Sequence, residues 1–290
     1  MTAASRAPFW LSALAVLALG GAAHAEQLSA YQDRDVARMV SFGGSCRGCE
    51  LSGRNLSGAS FVGATFTDAN LVGANLRGAE LLGSNFSGSD FTRADLRGVS
   101  VMGADFSRAV FHDADLSDAD AQGVRFRDGD LRDVNLRDAD LVGADFSGAD
   151  LRDGRFDSSE IFGANLQRAR AAGASFRDAD LTGANLSNGD FAGASFRDSN
   201  LSGARLGDAR LVGADLRDAE MSRTDLRGAD LSRARNLTQS QLNQACGDNA
   251  TRVPRGLEVR TCRGGRPVVV IPVRPPAPPA TPRNLAANGG

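Results

Sequence analysis

The chain has 290 residues, so its length alone allows two domains of ordinary size. Its composition is unusual: 34 residues are Gly, all 33 basic residues are Arg, and there are only two His, one Trp and one Tyr. The formal net charge of −2 gives no reason to expect nucleic-acid binding, and so few His leave a poor inventory for acid–base catalysis.

Residues 1–25 have the pattern of a secretory signal peptide. Arg6 gives a positive start, the apolar run 9–19 is too short to span a bilayer, and residues 23–25 form an A-x-A cleavage motif. We expect cleavage before Glu26 and a periplasmic or secreted protein with no membrane span. An uncleaved anchor is the alternative.

Residues 26–50 are predicted to form an N-terminal cap. Within this segment, residues 28–40 have the apolar pattern of a short helix, with Asp33 or Asp35 as its N-cap. A cap is needed because the repeat that follows would otherwise expose backbone groups at its end.

A period of five residues governs the chain from Leu51 to Leu231. Every fifth residue is apolar at 37 consecutive positions, 32 of which are Leu or Phe, and 24 of the residues two places earlier are Ala. Five residues advance an α-helix by about 140°, and five is odd on a strand of period two, so neither element keeps these side chains on one face. The pattern instead predicts a solenoid that turns a corner every five residues, with one large and one small side chain pointing inward.

Columns of like residues at a spacing of 20 indicate four pentapeptides per coil. One such column, a predicted core ladder, is aromatic, and a neighbouring outward column is Gly without a break from Gly63 to Gly203. The core ladder comprises Phe66, Phe86, Phe106, Phe126 and Phe146.

The A-(D/N)-L-x-G register, as in Ala69-Asn70-Leu71-Val72-Gly73, resembles that of the pentapeptide-repeat family. The resemblance implies an all-β fold, a right-handed quadrilateral parallel β-helix. The solenoid is predicted over residues 51–235, in about nine coils or roughly 45 Å at about 4.8 Å per coil. Its Cys-containing flanks resemble those of exported family members.

The C-terminal flank divides into a predicted cap, 236–262, and a flexible Pro-rich tail, 263–290. Thr238 and Gln241 have capping-box spacing and predict a short helix through Ala245. Val268-Val269-Val270-Ile271 could pair with a sheet edge, although we favour disorder for the whole tail, which holds seven of the nine Pro.

The four Cys lie in the two caps. Cys46-x-x-Cys49 is compatible with a redox pair, half of a metal site or a local disulfide, but a thioredoxin-type redox pair needs a βαβ context that is absent. The length of the rod keeps this pair away from Cys246 and Cys262, which excludes a shared zinc site or cross-pairing. Export also favours oxidation, so we predict the disulfides Cys46–Cys49 and Cys246–Cys262 and no metal or cofactor.

Charge is uneven along the chain. Residues 50–235 carry 30 acidic and 22 Arg side chains, a net −8, and the remainder carries 5 acidic and 11 Arg, a net +6. A candidate Arg ladder at 20-residue spacing would either grip a polyanion or be compensated by an adjacent column at Asp118, Asp138, Asp178, Asp198 and Asp218; we favour compensation. The ladder comprises Arg77, Arg97, Arg137, Arg177, Arg197 and Arg217.

A second outward column is apolar and lies beside the Gly column. It is a candidate interaction strip for a protein partner or for self-association, against the alternative of scattered surface hydrophobic residues. The strip comprises Val62, Leu82, Met102, Val142 and Phe162, with Gln122 interrupting it.

No catalytic constellation is recognised: His112 lies beside Asp113 without a third partner, and we interpret it as a surface residue. The sequence therefore predicts a non-catalytic, exported solenoid that acts as a structural or protein-interaction scaffold, with no small-molecule substrate. Some pentapeptide-repeat proteins are acidic DNA mimics that bind type II topoisomerases and protect against quinolones, which is the alternative function. A thiol oxidoreductase using Cys46 and Cys49 is a third hypothesis.

Overall fold

The structure, a computed structural model, describes residues 44–263 and 266–269. From residue 44 to residue 235 the backbone repeats one conformation every five residues. Isolated parallel β-bridges join residues 20 apart throughout, from Ser45–Thr65 to Asp215–Arg235. Four pentapeptides therefore complete each turn of the solenoid, and each turn stacks on the next.

The pentapeptide around Leu71 shows why this backbone forms. The Leu71 amide donates to the carbonyl of Asp90 in the next coil (2.7 Å), and the Ala74 amide donates back to the Leu71 carbonyl (3.0 Å), which closes a β-turn. Gly73 occupies the third position of that turn with φ of 65°. The corner recurs every five residues, so each side has room for one bridge and not for an extended strand.

The inward columns form one continuous apolar core. The large and small inward side chains are almost completely buried from Leu56 to Leu231, and the expected core ladder is stacked: Phe86 lies 5.4 Å from Phe66 and 5.7 Å from Phe106 between ring centroids. Where Ser replaces the inward Ala, its hydroxyl donates to a backbone carbonyl, as Ser84 does to Leu81 (2.6 Å). Buried hydroxyls are thereby satisfied without opening the core.

The C-terminal end departs from the repeat. Helix α1, Gln239–Gln244, begins at the N-cap Thr238, whose backbone amide and side chain form a capping box with Gln241. Strands β1, Arg260–Arg263, and β2, Arg266–Val269, then pair antiparallel. The bridges Asp225–Cys246 and Asp230–Arg252 join this region to the last coil, and the bridge Gly247–Thr261 lies within it.

Strand β2 lies inside the segment that the sequence assigned to a flexible tail. Residues 266–269 pair with β1 in the register Arg260–Val269 and Cys262–Pro267, and edge pairing was the alternative that the sequence left open for residues 268–271. Composition favoured disorder there, but the ladder supplies hydrogen-bond partners that composition cannot reveal.

Other expectations lie outside the described residues: the signal peptide 1–25, the N-terminal helix within 28–40 and the rest of the tail. No helix among residues 44–263 is long and apolar enough to cross a membrane.

Candidate interaction surfaces

Each cap contains one disulfide. Cys46 and Cys49 are bonded, with Cα atoms 5.7 Å apart, and Cys246 is bonded to Cys262, with Cα atoms 5.1 Å apart. Both separations are ordinary for disulfides. Cys46 and Cys49 pack against the end of the core. Cys246 pairs with Asp225 in a parallel bridge, and the Leu226 amide donates to the Cys246 carbonyl (2.7 Å).

The solenoid presents four sides, each built from the outward residues of one pentapeptide per coil. We name each side after one of its inward residues: side A (Phe61), side B (Phe66), side C (Leu71) and side D (Leu76). Side D carries the Arg ladder, and side A carries the apolar strip.

Three members of the Arg ladder, Arg97, Arg137 and Arg197, pair with carboxylates of their own side, and the other three form no ion pair with a described residue. Arg97 donates to Asp95 at 2.5 Å and lies 3.8 Å from Asp115, and Arg137 donates to Asp157 at 3.0 Å. Arg197 lies 4.0 Å from Asp215. Arg177 donates to the hydroxyl of Ser195 (3.3 Å).

The compensating carboxylates differ from those expected. Asp118 and the other members of its column make no ion pair in the part of the chain that the structure describes; the partners are Asp95, Asp115 and Asp215 of the bridge column, together with Asp157. Asp118 and Asp138 occupy the positive-φ position of their turns, at 58° and 55°.

The residues of the interaction strip follow one another along side A, in register with the backbone hydrogen bonds between coils. The amides of Gly63, Gly83 and Gly143 donate to the carbonyls of Leu82, Met102 and Phe162 at 2.9 Å, so successive strip residues are one coil apart. Val62 and Phe162 are 46% and 51% exposed, and the other apolar members are half-buried. These are the two exposed large hydrophobic residues among those described.

Side A also carries an acidic column that sequence reasoning missed. The column lies two residues before the strip in each coil and comprises Glu80, Asp120, Asp140, Glu160, Asp180 and Glu220. None of the six forms an ion pair with any described residue. Asp140 accepts hydrogen bonds from the Gln122 side chain (2.5 Å) and the Val142 amide (3.1 Å), and Asp120 Oδ1 is buried without a partner in that region.

The four sides differ in charge. Side A has six acidic residues against Arg223 alone, side B six against six Arg, side C nine against six and side D nine against eight. With the inward Arg54 these counts give the 30 acidic residues and 22 Arg of the solenoid. The excess of acidic residues on side A can be counted from the sequence, but only when the outward columns are grouped by side.

Several carboxyls on sides B, C and D titrate below their ordinary range. The Arg97 guanidinium, by its hydrogen bonds, holds the pKa of Asp95 below the ordinary value of 3.8. Arg132 lowers the pKa of Asp130, and Arg227 lowers that of Asp225, in the same way. These ion pairs fix guanidinium groups against the bridges of the solenoid.

His112 lies between two carboxylates on side C. Its Nε2 is 3.6 Å from Asp113 and its Nδ1 is 3.5 Å from Asp133. The ligand atoms of the three residues lie within 4.8 Å of one another, but each carboxylate faces a different ring nitrogen. One metal ion would bind one of these nitrogens, so the arrangement carries no metal assignment.

The architecture is that of a β-solenoid built from pentapeptides, and comparison with protein families agrees. Matches to the family described as Pentapeptide repeats occur in eight copies over residues 45–81, 69–108, 159–198 and 199–235, and a match described as Pentapeptide repeat region covers residues 89–166. The chain belongs to the pentapeptide repeat family. Membership implies the right-handed quadrilateral β-helix expected from the sequence.

Solved structures of the same family are similar to this chain. A trypsin-treated variant of QnrB1, a plasmid-mediated fluoroquinolone resistance protein, is 20% identical, with a TM-score of 0.52 over 71% of this chain and 92% of its own. HetL from the cyanobacterium Nostoc, a pentapeptide repeat protein involved in heterocyst differentiation regulation, is 23% identical, with a TM-score of 0.42 over 83% of this chain and 97% of its own. The first likeness supports the fold.

A pentapeptide repeat protein from the Arabidopsis thaliana thylakoid lumen is 38% identical over 39% of this chain and 80% of its own, with a TM-score of 0.33. A search among curated proteins gave no significant match.

Proposed function

We propose that this protein is a non-catalytic interaction scaffold, exported to the periplasm or beyond. The proposal rests on the different placement of inward and outward residues in each pentapeptide. The two inward residues are buried in an apolar core, and the three outward residues form straight columns on the surface. Any specific recognition is then performed by outward side chains at about 4.8 Å spacing along a rigid rod.

Export is proposed from residues 1–25, whose apolar run and A-x-A motif are typical of a signal peptide. The two disulfides at the caps fit an oxidising compartment. The oxidoreductase hypothesis is less favoured, because Cys46 and Cys49 pack against the core cluster at the end of a solenoid and lack a βαβ context.

The DNA-mimic alternative is weakened by the charge pattern. A mimic of DNA needs rows of uncompensated negative charge. On sides B, C and D, Arg–Asp ion pairs at 2.5 to 3.0 Å occupy many of the carboxylates, as in Arg227–Asp225 and Arg210–Asp190. On side A none of the six acidic residues forms an ion pair with a described residue, but six carboxylates along one side are few for a mimic of DNA.

Cell fractionation with N-terminal sequencing tests the proposal. A mature chain that begins at Glu26 in the periplasmic or extracellular fraction is the expected result. Photo-crosslinkers placed on each of the four sides of the full chain should then capture a partner from one side preferentially. A cytoplasmic chain that inhibits DNA supercoiling would instead establish the topoisomerase alternative.

A further inference from the structure

We infer that side A is the recognition surface and that it binds a cationic, amphipathic helix of a partner polypeptide. This inference rests on the proposed scaffold function and specifies the chemistry of the partner. It is carried by the juxtaposition of two parallel columns on one side of the rod: an exposed apolar strip and an acidic column without ion pairs.

The apolar column supplies the contact area. Val62 and Phe162 are about half exposed at the two ends of the strip, and Leu82, Met102 and Val142 lie half-buried between them. Gln122 interrupts the row between Met102 and Val142. Exposed apolar residues grouped in one row mark interaction surfaces more often than isolated ones do.

The flanking Gly column leaves the strip open to approach. A methyl group built at Gly63, Gly83, Gly103, Gly123, Gly143 or Gly163 meets no atom within 4 Å. A partner can therefore lie flat against the strip from that flank.

The acidic column sets the charge of the partner. Glu80 and Glu160 are exposed, Asp140 and Asp180 are half-buried, and none of them pairs with a described Arg. The Arg ladder of side D is near in sequence, yet Arg97, Arg137 and Arg197 pair with carboxylates on their own side, and no ladder member pairs with the acidic column. Charge complementarity across an interface therefore calls for Arg or Lys beside the apolar row of the ligand.

The same charge disfavours a second copy of this chain as the occupant. Two copies meeting through side A would bring two surfaces of six acidic residues each into contact, and like charges in an interface oppose association. The self-association expected from the strip alone is therefore replaced by a partner of opposite charge.

The dimensions of the strip favour a helix. Five coil steps from Val62 to Phe162 span about 24 Å, which is the length of a helix of about 16 residues. The pitch of such a helix, about 5.4 Å, is close to the coil spacing of about 4.8 Å, so successive turns lie near successive coils. Apolar residues at i, i+4 and i+7 would contact the strip, with Arg along one edge facing the acidic column.

Binding of a designed probe peptide to the full mature chain tests the inference. The probe is a fluorescein-labelled 18-residue helix with Leu on one face and Arg along one edge, measured by fluorescence anisotropy at low ionic strength. A composition-matched scrambled peptide and a peptide with Glu in place of Arg serve as ligand controls. We expect the probe to bind at least about tenfold more tightly than either control peptide.

Two sets of variants locate the site. The triple substitution Glu80→Gln, Asp140→Asn, Glu160→Gln removes three charges from side A, and its matched control, Asp118→Asn, Asp138→Asn, Asp198→Asn, removes three from side D. We expect the first to weaken binding about tenfold or more and the second by less than about twofold. Leu82→Ser with Met102→Ser should also weaken binding while thermal unfolding stays close to that of the parent.

Equal weakening by both triple variants, or equal binding of the scrambled peptide, would overturn the inference because either result reveals unspecific charge attraction. A cellular partner that crosslinks only from side B, C or D would also overturn it and leave the scaffold function intact. A cytoplasmic chain without crosslinked partners, in contrast, would remove the scaffold function itself.

Discussion

The ring of Phe146 packs edge-on against the ring of Phe156, with 5.9 Å between centroids and an interplanar angle of 88°. Before this contact the longest run of stacked rings is the core ladder on side B, with Phe91 and Phe111 also stacked on side C. After it the stacked rings are Phe156, Phe176 and Phe196 on side D. Ten residues separate the two columns, so they face each other across the coil. Leu lies opposite the stacked rings in both halves of the rod: on side D before the contact, as at Leu116, and on side B after it, as at Leu186. Between residues 146 and 156, therefore, the stacked Phe column moves from side B to side D and the Leu column moves from side D to side B, and the core remains filled.

Truncation within the ladder should be costly. Phe106 is fully buried and stacks on Phe86 and Phe126, so we expect Phe106→Ala to lower the free energy of unfolding by about 3–5 kcal/mol. Urea denaturation followed by circular dichroism measures the change. The outward control Ser107→Ala, in the same pentapeptide, should change stability by less than about 0.5 kcal/mol. Comparable losses for the two variants would contradict the buried stack.

Two glycines of the turns should respond differently to Ala. Gly88 and Gly103 both have positive φ, 72° and 64°, so each Gly→Ala change should cost about 1–2 kcal/mol. A methyl group at Gly88 would in addition meet Asp68 Oδ1 at 2.6 Å, whereas at Gly103 the space is open. Thermal unfolding should therefore rank Gly88→Ala as the less stable variant. Adding Asp68→Gly to the Gly88→Ala variant should bring its stability to that of Gly103→Ala. If Gly88→Ala stays less stable in that background, the contact with Asp68 is not the cause.

Stability should fall in acid because of the Arg–Asp pairs. The pKa values of Asp95, Asp130 and Asp225 are lower in the folded chain than the ordinary 3.8, so the native state binds fewer protons than the unfolded state. Their contribution is complete above that value and is lost as the pH falls below it, through the folded pKa values. Thermal midpoints measured between pH 7 and pH 2.5 should decline below about pH 4.

The triple variant Asp95→Asn, Asp130→Asn, Asp225→Asn is the control for this prediction. It should be less stable at pH 7 and show a shallower decline in acid. An acid decline as steep as that of the parent would assign the effect to other groups.

The C-terminal disulfide should protect the last coil. Cys246 and Cys262 are 16 residues apart, and closing a loop of about 15 residues stabilises a protein by about 3 kcal/mol. Replacing both with Ser should increase hydrogen exchange at the Leu226 amide, which donates to Cys246, and leave the Leu76 amide, which donates to Asp95, unchanged. Replacing Cys46 and Cys49, which enclose a much shorter loop, should cost less. Equal exchange at Leu226 in parent and variant would show that the cap does not depend on the bond.

The fold was largely predictable because the period of five constrains every inward position. Phe66 and Phe86 were placed in one column by counting 20 residues, and the structure stacks them with 5.4 Å between ring centroids. Thr238 and Gln241 signalled the start of α1 because a capping box is a local interaction. For the segment that contains β2, the sequence analysis named edge pairing but favoured disorder, since the pairing with β1 is a tertiary contact in a segment whose composition is typical of disorder.

The surfaces were predictable only in part. Column membership follows from spacing, so Arg97 and Leu82 were assigned to outward rows correctly. The acceptor of Arg97 depends on side-chain rotamers and turn dihedrals, and the structure selects Asp95 and Asp115 over the positive-φ column. The acidic column beside the strip can be found without knowing rotamers or dihedrals. It becomes visible, however, only when residues are sorted by side as well as by column.

The 20-residue bridges also determine which insertions and deletions this protein can accept. Adding or removing one whole coil would lengthen or shorten the rod by about 4.8 Å and keep every outward column in line. Removing a single pentapeptide, for example residues 86–90, would keep the inward pattern but turn everything beyond it by a quarter of a revolution. Leu82 and Met102 would then point to different sides, and the acidic column would be broken at the same place. Gene length in this protein should therefore vary in steps of 60 nucleotides wherever side A is under selection.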